Sequence, residues 1–282
     1  MAMQNITLTS GMRKNLFSLQ STQKLMEATQ KRLASGQRVQ SAVDDPVNYF
    51  TALGHRQRSE DLASRKDEMS ESIQTITAGN EGVEGITALI ASAKSLAQSA
   101  LSASTTSEIS TLYSQYAEVL SQIDLIAADS GYKGVNLLDG TGVTVTVKFD
   151  ENGDSSLTLT GFDGTAQGAT LSLSTHATNA WVSAGGAADK AEINSAITKL
   201  DTARSALRTE AQKLSTNLST ITIRQDFTKG MINTLEDGAA ELTNADMNEE
   251  GANMLMLQTR QQLGTTSLSL ASQAAQSVLR LF

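Results

Sequence analysis

Along most of this chain apolar residues recur at intervals of three and four, a spacing that predicts long amphipathic helices. In the first, from about Gly11 to Leu33, the positions stepping by three and four are Leu16, Leu19, Gln23, Met26, Gln30 and Leu33, a coiled-coil seam that tolerates polar residues. Gly36 stands just past the last apolar position, where a left-handed capping residue belongs, and Arg32 suits the negative end of the helix dipole. The chain restarts at Asp45-Pro46, which places a side-chain acceptor at the N-cap and a fixed φ at the first helical position. A second helix then runs from Pro46 to about Ala103, its interior marked by Ile73, Ile76, Val83, Ile86, Ile90 and Leu101. Gly79, Gly82 and Gly85 fall inside it, each costing up to about 1 kcal/mol relative to Ala, so they mark either a local loosening or a close helix contact.

After a Ser/Thr-rich turn at 102–107, a third helix carries Ile109, Leu112, Tyr116, Val119, Ile123 and Ile126 and ends at Asp129-Ser130-Gly131. From 143 the period changes to two. Val143, Val145 and Val147 alternate with Thr144, Thr146 and Lys148, a turn follows at 150–154, and Leu157 to Thr160 returns as the second arm of a hairpin. A third run, Ala169 to Ser174, is a further candidate strand before a small-residue linker around Gly185-Gly186. From Ala187 the helical pattern resumes. Of fifteen positions stepping by four and three from Ile193 to Leu242, twelve are Ile, Leu or Ala, the exceptions being Arg204, Gln225 and Thr228. At about 1.5 Å per residue such a helix spans roughly 75 Å, so its seam must be covered by the chain's other helices. A last helix, from about Glu250 to Phe282, carries Met254, Leu257, Leu268, Ala271, Ala275, Val278 and Phe282 on one broad face, and that face calls for a partner. The basic first helix is the obvious one.

Composition supports this picture. Aromatics are 4% of the chain, Trp181 is the single tryptophan, and the core must rest on aliphatic side chains. Pro46 is the single proline, which leaves long helices uninterrupted. There is no cysteine, and with it go disulfides, thiolate nucleophiles and Cys-based metal sites. No Sec signal peptide is expected in Met1 to Gln20, and no run of eighteen apolar residues predicts a membrane span. Within a net charge of −8, residues 1–42 hold six Lys/Arg against Glu27 alone, so a basic first helix faces an acidic remainder. That asymmetry suggests electrostatic complementarity within an assembly and argues against nucleic acid.

Catalysis has little to draw on. His55 and His176 have no carboxylate cluster nearby and read as surface histidines. Asp150, Asn152 and Asp154 resemble a calcium loop, but Gly153 comes too early and no Glu follows at the twelfth position, so a plain turn is the better reading. Asp44-Asp45 has a structural job as a helix start. No cofactor and no metal are implied.

The residues at the joints resemble bacterial flagellin. Leu33-Ala34-Ser35-Gly36-Gln37-Arg38-Val39-Gln40-Ser41-Ala42-Val43-Asp44-Asp45 is similar to that family's N-terminal signature, and Tyr132 to Gly140 to the segment before its hairpin. Gln261 to Thr266, Ala271-Ser272-Gln273 and Gln276 to Leu281-Phe282 are similar to its closing motif. The resemblance implies a mainly α fold, a long antiparallel coiled-coil bundle of N- and C-terminal segments with a small β-hairpin region inserted between them. It also implies an inner domain of residues 1–43 plus 239–282 and an outer rod domain of 44–238, with any surface elaboration at 141–187. Its function would be a secreted, extracellular filament subunit for motility, passing through the flagellar type III apparatus. It would be a partner of itself, of an export chaperone and of cap and junction proteins. Within the family the hook–filament junction protein is the alternative, and outside it a secreted coiled-coil adhesin. The assembly residues implied are Leu16, Leu19, Met26, Leu33, Leu257, Leu268, Ala271, Val278, Leu281 and Phe282, with Gly36, Arg38, Asp44, Asp45 and Pro46 at the inter-domain joint. Members that activate the vertebrate flagellin receptor carry a basic residue where this chain has Ala93, so the resemblance does not extend to receptor activation.

Overall fold

A computed structural model describes residues 10–173, 181–183 and 185–279, which puts His176, Leu281 and Phe282 outside the described residues. Among those described, five helices and one hairpin follow in order: α1 Ser10–Ser35, α2 Pro46–Ser102, α3 Thr106–Asp129, β1 Thr144–Lys148, β2 Ser156–Thr160, α4 Lys190–Thr243 and α5 Met247–Leu279. The fold is mainly α with one small antiparallel sheet, as the periodicities predict. The chain divides into two compact units, Arg58–Asn233 and the combination of residues up to Gln57 with those from Thr234 onward.

In the Arg58–Asn233 unit the core is built from stripes repeating every seven residues. Met69, Ile76, Val83, Ile90 and Ala97 of α2 are all buried, as are Ile193, Leu200, Leu207, Leu214 and Ile221 of α4. α3 contributes Ile109, Tyr116 and Ile123, flanked by Tyr113, Leu120 and Ala127. On α2, Ile76, Val83, Ile86 and Ile90 are buried as predicted, while on α3 and α4 about half of the predicted seam is in place and alternate positions lie one residue away. Ala196 and Ala203 are buried where the stepping named Ile197 and Arg204, and Leu112, Val119 and Ile126 pack only at the margin. Arg204 is exposed. The cause is geometric: an α-helix turns every 3.6 residues and drifts about 20° per heptad from a strict 3.5 repeat, so the partner's position selects the flank. Ala93 belongs to this core and is fully buried, so packing accounts for its small side chain.

The glycines of α2 mark a close contact. A Cβ on Gly79 would lie 3.6–3.7 Å from Leu137 and Leu138, and one on Gly85 3.4 Å from Ile126. At Gly82 it would fall 2.1 Å from the Ser130 hydroxyl, which donates to the Ile126 carbonyl at 2.6 Å. α3 is started by Thr105 and Glu108, whose side chains each accept the other's backbone N–H.

The hairpin pairs Thr144 with Thr160 and Lys148 with Ser156, and buries Val147 and Leu159. Its turn is held by Asp150, which accepts the N–H groups of Ser155 and Asp154, and by Gly153 at φ 79°. Those N–H groups, Ser155 first, hold the Asp150 carboxyl below the ordinary carboxylate range. Arg58 reaches Glu151 at 2.6 Å and Arg224 covers the Phe149 ring at 5.2 Å, tying the turn to α2 and α4. The expected third strand at 169–174 is not formed among the described residues. Ser172 adopts φ 49° and donates its N–H back to Gly168, breaking the extension a ladder needs, while Leu171 and Leu173 pack into the core from a turn. None of the described helices is long and apolar enough to cross a membrane.

Trp181 is buried against Tyr113 and Tyr116, with ring centroids 5.3 and 4.7 Å away. Burial, with Tyr113 adding to it, pushes the Tyr116 phenol up to about 12. The unfolded phenol titrates near pH 10, so the neutral form is favoured by folding. Its contribution is complete below pH 10 and is lost as pH rises toward 12, amounting to roughly 2–3 kcal/mol. Denaturant midpoints followed by Trp181 fluorescence should fall over that range, and Tyr116→Phe should flatten the fall. The same measurement applies to the glycines: Gly82→Ala, forced against Ser130, should lower stability by about 1–3 kcal/mol. Gly230→Ala, with open space at its Cβ, should raise it by up to about 1 kcal/mol.

Candidate assembly interface

α1 and α5 lie against each other in antiparallel register. Asn15 donates to Ser267 at 3.2 Å, Gln261 to Gln23 at 3.1 Å, and Arg32 to Glu250 at 3.0 Å. On α1 the covered row is Met12, Asn15, Leu19, Thr22, Met26, Thr29 and Leu33, with Met12, Thr22 and Thr29 buried. Leu19, Met26 and Leu33 were expected there. Gln23, Gln30 and Leu16 were also expected on the seam and lie exposed, again one residue off the row that α5 covers. On α5 the row is Glu250, Met254, Leu257, Gln261, Gly264, Leu268 and Ala271, with Glu250 and Leu257 buried. Large residues meet small ones: Leu19 sits so close to Gly264 that an added Cβ would be 2.6 Å from its Cδ2. The Val278 side chain lies outside the described residues, as do Leu281 and Phe282.

The joint beside this pair is held by backbone. Gly36, at φ 70°, donates to the Arg32 carbonyl at 2.8 Å and closes α1. Gln37 and Asn244 form an antiparallel bridge, Arg38 donates its N–H to Thr243 at 2.8 Å, and Ala245 donates to Gly36 at 2.9 Å. The Arg38 guanidinium reaches the Leu242 carbonyl, and Arg56 the Thr243 hydroxyl. One Asp44 oxygen accepts the N–H groups of Gln40 and Ser41 and the Ser41 hydroxyl. Asp45 accepts the Asn48 N–H at 3.1 Å and so starts α2 at Pro46. Both carboxyls are held below the ordinary range, Asp44 chiefly by the Gln40 N–H and Asp45 chiefly by that of Asn48.

A second apolar row on α5 escaped the periodicity reading. Leu255, Leu263 and Leu270 are exposed by 68, 66 and 62%, and Met256 by 45%, on the side away from α1. The signal was the seven-residue spacing of Met256, Leu263 and Leu270, masked because α5 is apolar on two sides and so has no clear polar face. Phe17 and Leu25 of α1, and Val43, Val47 and Phe50 at the joint, are likewise exposed. Apolar surface on this scale belongs at an interface.

Paired long helices that keep a second apolar face open are the architecture of a chain that packs against further helices. The profile of the bacterial flagellin N-terminal helical region matches residues 7–143, and that of the C-terminal helical region residues 191–282. Flagellin FljM of Caulobacter vibrioides is 31% identical over the full length of both chains, and a flagellin of Brucella melitensis is 27% identical over 95% of each. The crystal structure of Bacillus cereus flagellin covers 57% of this chain and 88% of its own at 18% identity and a TM-score of 0.46, too loose a likeness to argue from. The chain belongs to the bacterial flagellins and is a structural subunit of the flagellar filament.

Leu257→Ala should weaken the α1–α5 seam by about 2–4 kcal/mol and raise the critical concentration for polymerisation at least tenfold in sedimentation assays. Ser219→Ala, exposed on α4 in the Arg58–Asn233 unit, should leave that concentration within about twofold.

Proposed function

We propose that the terminal helices are the assembly element: residues 1–43 and 239–282 make the inner domain that polymerises, and 44–238 the outer domain that it carries. The observation that supports this most directly is the doubly apolar α5, of which α1 covers one side and leaves Leu255, Leu263 and Leu270 open. In a homopolymer the open side meets the same helices of neighbouring subunits. The α1–α5 seam, with Thr22, Thr29, Gln261 and Gly264 among its aliphatic residues, stabilises a lone pair weakly, and marginal helices of this kind order on assembly. That suits export of an unfolded chain through the flagellar type III apparatus, with a chaperone covering the termini and cap and junction proteins receiving them. The protein acts outside the cell as filament material and not as an enzyme. The carboxylates that could have formed a catalytic pair, Asp44 and Asp45, each accept backbone donors of the joint.

Removing residues 1–42 or 240–282 should abolish polymerisation, seen as loss of filaments by negative-stain microscopy. Trp181 fluorescence and circular dichroism should still report a cooperatively unfolding outer domain. Filaments from either truncated chain would refute the proposal.

A further inference from the structure

The seam between α1 and α5 does not by its apolar pattern select one alignment. In the observed pairing Leu19 lies on Gly264, and Arg32 meets Glu250 four turns away. Slide α1 one heptad toward the far end of α5 and Leu19 would face Ala271, Met26 would face Gly264 and Leu33 would face Leu257. Each contact is again apolar. Slide it the other way and Leu19 faces Leu257 while Met12 faces Gly264. The one position that discriminates is Glu250. Its side chain is more than nine-tenths buried, Oε1 is taken by Arg32 at 3.0 Å, and Oε2 has no partner among the described residues. In the first slip Glu250 passes beyond the end of α1 and loses Arg32. In the second, its carboxylate would be pressed against Met26 with no cation beside it. The second slip thus leaves a buried carboxylate without its partner, which is far more costly than one that keeps it, and the first loses the Arg32 pair; a single polar position is a known way to select register in a coiled coil.

We infer that Arg32 and Glu250 are the specificity-determining pair that holds the terminal helices in one register. The inference rests on the proposed role of those helices in assembly. The joint works at the same end: the Gln37–Asn244 bridge anchors the chain one turn beyond Arg32, so the ion pair carries the alignment set there into the helical seam. Three of seven positions on each side lack an apolar side chain (Asn15, Thr22 and Thr29; Glu250, Gln261 and Gly264), and with so little apolar contact to distinguish alignments this pair decides among them.

The chain contains no cysteine, so introduced pairs report register without background. In assembled filaments, Asn15→Cys with Ser267→Cys reads the native alignment, Thr22→Cys with Ser267→Cys the first slip, and Asn15→Cys with Arg260→Cys the second. Intramolecular disulfides are identified on non-reducing gels as a faster-migrating monomer band that reduction abolishes. In the parent, only the native pair should cross-link. With Glu250→Leu, native cross-linking should fall at least threefold and one slipped pair should appear, while Arg32→Glu with Glu250→Arg should restore the native pattern. Unchanged native cross-linking in Glu250→Leu, or failure of the charge swap to restore it, would overturn the register assignment while leaving terminal pairing intact. Absence of the native cross-link in the parent would overturn the pairing itself, and the register assignment with it.

Discussion

A helix of more than fifty residues with an apolar stripe along one side must be covered along that whole side, and this requirement governs the rest of the molecule. α2 and α4 are both of this kind. With few rings available, coverage comes from Leu, Ile and Ala at seven-residue intervals, each large side chain contributing roughly 1.5–3 kcal/mol when buried. Close approach follows from the same need. The glycines at 79, 82 and 85 let the end of α3 and the Leu137-Leu138 segment lie directly on the backbone of α2. The hairpin turn, clasped by Arg58 and Arg224, and the Trp181 cluster pack against the same helical core.

Around the terminal helices the same rule is left partly unmet. α1 covers one side of α5, and what remains apolar on α5, on α1 and at the joint has no cover among the described residues. For a lone monomer this would be a liability; in the proposed assembly it is the surface that neighbouring subunits cover. The joint must then be firm where the seam is soft. Its strength lies in backbone hydrogen bonds and in two acidic caps, groups whose geometry does not depend on a neighbouring subunit.

Much of this was legible in the sequence. The helices and hairpin arms follow from periodicity, Gly36 and Asp45-Pro46 from capping chemistry, and the family from the residues around the joints and the closing motif. The interface was legible in part. Leu19, Met26, Leu33, Met254, Leu257 and Leu268 could be placed on facing rows because they repeat with the helix. Leu16, Gln23 and Gln30 could not be told from their neighbours Asn15, Thr22 and Thr29, since a step of one residue turns the helix by only 100° and either flank satisfies the same spacing. The outer face of α5 was hidden for a related reason, because a helix apolar on two sides has no polar side to orient it.

The sequence by itself determined where elements begin, what period they follow and where they stop, because those depend on dihedral preference, capping groups and patterning within a few residues. Only the tertiary structure decided which flank of each stripe is buried, that Ala169 to Leu173 forms a turn, that the α2 glycines are contacts and not loosenings, and that Arg32 meets Glu250. Each of these is set by the position of a partner distant in sequence, and nothing local to either residue encodes that distance.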